Sequence, residues 1–113
     1  MDSAEDNVMS TLRANSSLVE LQAYVAAIEI ERGFANETAL QKCLLLGEEV
    51  GELFKAVRQS AGIAVDQAST VGSVADELAD VLIFVLAIAN RFQIDVDAAV
   101  RGKEDRNRER VWT

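Results

Sequence analysis

Apolar residues recur along this chain at intervals of three and four, with little alternation of period two, which is the pattern of amphipathic helices and not of strands. Ser17 followed by Glu20 reads as a capping box, and Leu18, Leu21, Val25, Ile28 and Ile30 continue from it as a first helix ending near Arg32 and Gly33. Asn36 is placed to cap a second helix that runs to about Gln59, with Leu40, Cys43, Leu44, Gly47, Val50, Gly51, Phe54 and Val57 along or beside its buried face. Ala61 and Gly62 break it. From there to Gly72 the residues are small and polar without clear period, which reads as a loop. Ser73, with Asp76 at the third position, caps a third helix whose core stripe is Leu78, Val81, Leu82, Val85, Ile88 and Phe92. Asp95 caps a fourth, with Val96, Ala99 and Val100 on one face and dense charge elsewhere.

Four helices, short connections and no proline predict an all-α, four-helix bundle-type subunit. Residues 1–16 read as a loose lead-in and residues 17–113 as one domain. A domain in a chain of 113 residues buries only part of its surface, so assembly with a second subunit is expected. The longest strongly apolar stretch, from Val81 to Ala89, is far short of the ~20 residues that cross a bilayer. With no basic and apolar leader at its start and Cys43 as the one cysteine, the chain is expected in the cytoplasm.

Charge narrows the chemistry. Against 11 Lys and Arg stand 19 Asp and Glu, a net charge of −8, which argues against a nucleic-acid polymer as partner. The absence of histidine removes Ser-His-Asp and Cys-His catalysis and the usual zinc ligands, leaving carboxylates, which suit a hard ion such as magnesium or manganese. Two helices carry the same unit, Glu49-x-x-Glu52 within GEEVGEL and Glu77-x-x-Asp80 within DELADVL. Residues three apart share a helix face, so an antiparallel pairing of these helices makes the four side chains converge, with Glu48 able to join from the flank. A solvated face is the plainer reading of either pair alone. These acids, however, interrupt the apolar runs LLLGEEVGELF and ELADVLIFVLAIA, and a buried like-charge cluster is unfavourable without a cation.

Gly47 and Gly51 each cost about 1 kcal/mol relative to alanine inside a helix, which either a closely approaching helix or ligand or simple tight packing would explain. Five basic residues, Arg101, Lys103, Arg106, Arg108 and Arg110, crowd the C-terminal run RGKEDRNRERVW. They either meet phosphate oxygens or pair with Glu104, Asp105 and Glu109.

The order ERGF, EEVGEL, loop, ELADVLIFVLAIA and KxxxNxxR resembles the MazG-like members of the all-α NTP pyrophosphatase superfamily, over roughly residues 18–112. The resemblance implies Mg²⁺-dependent hydrolysis, with Mn²⁺ as a possible substitute, of a nucleoside triphosphate, a deoxynucleotide being favoured, to the monophosphate and pyrophosphate. It assigns Glu49, Glu52, Glu77 and Asp80 as metal ligands and Glu48, Glu49 and Glu52 as the catalytic group, with Glu48, or whichever carboxylate is not fully committed to metal, the candidate for activating water. Lys103, Asn107 and Arg110 match positions that contact the triphosphate or sugar. Phe34 falls where related sequences carry an aromatic near the base, a core contact being the alternative. Trp112 stacks on a base or packs on another subunit, and Asn90 reads a base edge or is satisfied near its helix end. One copy of the motif set implies a homodimer or homotetramer. The rival from another class is a noncatalytic helical metal-binding or interaction module.

Overall fold

The computed structural model describes residues 11–64 and 70–110; the first ten residues of the expected lead-in and Trp112 lie outside them. Among the described residues, four helices account for the regular structure: α1, Leu18–Glu31; α2, Ala39–Ser60; α3, Val74–Arg91; and α4, Val96–Arg108. Among the described residues there is no strand. The fold is all-α, as the spacing predicts, and no helix of the described residues is long and apolar enough to cross a membrane.

The caps explain where the helices begin. Ser17 Oγ accepts the Glu20 N–H at 3.1 Å while Glu20 Oε1 accepts the Ser17 N–H at 2.9 Å, the reciprocal box expected for α1. α2 starts on Thr38, not Asn36. The position three beyond Thr38 is Gln41, whose side chain accepts the Thr38 N–H at 2.7 Å as Thr38 Oγ1 accepts its own N–H at 3.1 Å. Three beyond Asn36 stands Ala39, which offers no such return bond.

The chain forms two compact units, one of residues up to Asn36 with those from Ala89 onward, the other Glu37–Ile88. In the first, α1 packs on α4 and buries Val25 and Ile28. Gln22 fastens it to the turn after α3: its side chain donates to Asn90 Oδ1 at 3.0 Å and accepts the Val96 N–H at 3.1 Å, while Asn90 Nδ2 donates to the Gln22 carbonyl at 3.1 Å. Asn90 is thus satisfied near its helix end.

In the second unit Ala56, Leu86 and Ala87 are buried, and so is Lys42, whose Nζ lies 2.7 Å from Glu37 and 5.3 Å from the Phe84 ring centre. Passing from Lys42 toward Glu49 along α2 takes the facing residue from Phe84 back toward Glu77 along α3. The two helices therefore run antiparallel. The faces expected in the core are largely open: Leu40, Leu44 and Phe54 are 70, 66 and 63% exposed, and Leu78, Leu82 and Val85 of α3 are exposed as well. A helix pair buries only the faces it turns inward, which leaves this second stripe exposed.

Candidate functional site

The antiparallel pairing places Glu49 of α2 opposite Glu77 and Asp80 of α3. One carboxylate oxygen from each lies within 4.8 Å of the others. Glu77 is buried, Glu49 half-buried and Asp80 exposed, so the cluster has a floor inside the unit and one side toward solvent. Glu77 sits just inside the start of α3, where the unpaired N–H groups of the first turn favour negative charge.

Burial, and after it the neighbouring charges of Asp80, Glu77, Glu52 and Glu48, pushes the Glu49 carboxyl above the ordinary carboxylate range. Carboxylates gathered this way repel one another, and three hard oxygen donors at this separation fit a divalent cation of the magnesium or manganese type. Of the four expected ligands the structure brings together Glu49, Glu77 and Asp80. Glu52 lies beside Lys55, Nζ to Oε1 3.6 Å, and adds to the field at Glu49; Glu48 is exposed and does the same.

A stability consequence follows for the metal-free protein. Because the Glu49 pKa is raised on folding, the folded state holds its proton to higher pH than the unfolded chain, and stability falls as pH rises from the ordinary carboxylate range through the raised value. In EDTA, Glu49→Gln should melt higher than wild type at neutral pH, with the gain fading as pH drops into the ordinary carboxylate range. Thermal scans across that range check this; a variant that melts lower throughout contradicts it.

Phe34 is 47% exposed and its backbone is held from both sides. Gly33, at φ +78°, turns the chain at the end of α1 in a left-handed conformation, its N–H donating to the Ile30 carbonyl at 3.2 Å and the Phe34 N–H to the Glu29 carbonyl at 2.7 Å. Arg91 then donates to the Phe34 carbonyl at 3.1 Å and, through both terminal nitrogens, to the two Glu29 oxygens at 2.9 and 2.7 Å. Neither Glu29 nor Arg91 belongs to a motif that the sequence shows. The available signal was an acid inside the apolar stretch of α1 and a basic residue ending α3.

Lys103 and Asn107 lie on α4 and Arg110 just beyond its end. The spacing of four puts Lys103 and Asn107 on one helix face; Lys103 and Arg110 are exposed and Asn107 is half-buried, its Nδ2 3.4 Å from Glu104. Arg101 instead pairs with Asp97 at 2.9 Å, the solvated-face arrangement.

The chain matches the MazG nucleotide pyrophosphohydrolase domain over residues 35–111. No curated protein matches it. Among solved structures it is similar to the MazG-like pyrophosphohydrolase of cyanophage S-2L, bound to dGDP and three catalytic Mn²⁺ ions per active site, at 32% identity over 89% of this chain and 87% of that one, with a TM-score of 0.67. It is also similar to iMazG from Vibrio DAT 722, in one crystal structure at 32% identity over 87% of this chain and 100% of that one with a TM-score of 0.64, and in a second at 33% over 82% and 99% with a TM-score of 0.63. With the domain matched over more than half of the chain and Glu49, Glu77 and Asp80 converging where α2 meets α3, the chain belongs to the MazG nucleotide pyrophosphohydrolase family.

Proposed function

We propose that this protein hydrolyses a nucleoside triphosphate, a deoxynucleotide in preference, between the α and β phosphates, releasing the monophosphate and pyrophosphate with Mg²⁺ as its ion and Mn²⁺ as a substitute. The observation that carries the reading is the convergence of Glu49, Glu77 and Asp80 in a chain of this family. The dGDP and Mn²⁺ of the cyanophage relative support the substrate class and the kind of metal.

Glu49, Glu77 and Asp80, joined by Glu52 once its side chain leaves Lys55, would hold the ions. Bound there, divalent ions neutralise phosphate charge and make water a better nucleophile. Glu48, with Glu49 and Glu52 beside it, orients the water and takes its proton as the oxygen adds to phosphorus and the bridging P–O bond breaks, the electrons leaving with pyrophosphate. Lys103, Asn107 and Arg110 bind the phosphate or sugar oxygens, and Phe34 meets the base. The reaction is assigned to the cytoplasm.

Against a panel of ribo- and deoxynucleoside triphosphates, pyrophosphate should appear faster from the deoxy forms; equal or faster turnover of the ribo forms removes that preference. A Glu48→Gln variant should lose at least about 10²-fold in kcat, the lower range for a positioned acid–base group, and near-normal turnover would move the water-activating role to another carboxylate.

The open stripe of α2 is assigned to a second copy of the chain. Leu40, Leu44, Gly47, Gly51 and Phe54 follow one another at spacings of four and three, and an added Cβ at either glycine meets nothing within 4 Å. Covering one leucine side chain contributes about 1.5–3 kcal/mol, so a charge at the centre of the stripe is costly. Sedimentation should find a dimer or tetramer for the wild type and a shift to monomer for Leu44→Glu. A wild type that is monomeric at tens of micromolar would leave the stripe without this occupant.

A further inference from the structure

Ser73 Oγ accepts the Asp76 N–H at 3.0 Å and the Ser73 carbonyl accepts the Glu77 N–H at 3.1 Å. Ser73 is therefore the cap of α3, Gly72 the residue before the cap, and Glu77 the fourth residue of the helix. At helix starts of this kind the residue before the cap often packs an apolar side chain on the fourth helical residue, which fixes the entry of the chain. Here the first of those positions has no side chain and the second is an acid of the carboxylate cluster.

An ideal Cβ built on Gly72 would run into Glu77 Oε1, with the carboxyl carbon 3.3 Å and Cγ 3.7 Å away. Gly72 is not in the left-handed region, so its backbone conformation does not call for glycine. Space does. We propose that Gly72 is a positioning residue for the Glu77 carboxylate: the missing side chain leaves the room in which that group lies toward Glu49 and Asp80. The proposal rests on Glu77 being a metal ligand. An alanine here meets the far end of a flexible side chain, so the carboxylate moves while the helix stays, and the cost falls on metal binding more than on folding.

The test is Mn²⁺ binding to metal-stripped protein without nucleotide, followed by electron paramagnetic resonance, on wild type, Gly72→Ala, Gly72→Val and Glu77→Gln, with helical content and melting temperature recorded in EDTA. Gly72→Ala should bind Mn²⁺ about 10–100-fold more weakly, the range found when the surroundings of a ligand are altered, and Gly72→Val more weakly still, both melting near the wild type. Wild-type affinity in Gly72→Ala alongside lost affinity in Glu77→Gln overturns the proposal and leaves the metal site standing. Full affinity in Glu77→Gln overturns both. An alanine variant that is unfolded without metal, or a valine variant no worse than alanine, also contradicts it, because the effect would then be on folding or chain stiffness and not on space.

Discussion

Asp80→Asn and Glu77→Gln should each lower pyrophosphate release by at least ~10³-fold while the metal-free protein stays folded. The size follows from what is removed. A divalent ion supplies several kcal/mol of transition-state charge stabilisation, and each 1.36 kcal/mol is about tenfold in rate. The fold survives because Glu49, Glu77 and Asp80 repel one another without an ion, so neutralising one relieves the other two. Saturating kinetics with circular dichroism in EDTA separates the two effects. A variant that keeps a tenth of its turnover would place the metal elsewhere, and one that unfolds would make the cluster structural.

The second large effect belongs to stability. Arg91→Ala should cost about 3–5 kcal/mol in urea denaturation, because it leaves Glu29 charged and buried without its guanidinium partner. The pair is mostly sealed, with side chains 14 and 10% exposed, and its bidentate geometry also holds the Phe34 carbonyl. Replacing both partners by leucine should recover most of that loss, since well-packed apolar residues of similar size often substitute for a buried ion pair at little cost. An Arg91→Ala protein as stable as wild type would mean that the pair adds nothing to the first unit.

Much of this architecture was legible because local chemistry decides it. The Ser17 and Asp95 caps, the break at Gly62 and the facing acids of GEEVGEL and DELADVL all express helical geometry that needs only nearby residues. What was not legible depends on partners distant in sequence. Leu40, Leu44 and Phe54 carry the period of a buried face whether a neighbouring helix or a second chain covers them, so periodicity alone places them in a core they do not enter. Lys42 shows the opposite failure: a lysine reads as exposed until Glu37 and Phe84 are found around it. Glu52 shares a helix face with Glu49 by spacing, and its oxygen lies 3.6 Å from Lys55, three residues on.

The proposed reaction is defined by the bond that is cut and by its need for a metal ion. Phosphorus NMR of a deoxynucleoside triphosphate incubated with the wild-type protein in Mg²⁺, and in parallel with EDTA, reads both at once. Monophosphate and pyrophosphate in equal amounts, formed only with the metal, is the predicted result; diphosphate with inorganic phosphate, undiminished cleavage in EDTA, or no cleavage of any triphosphate by the folded, metal-loaded protein would contradict it.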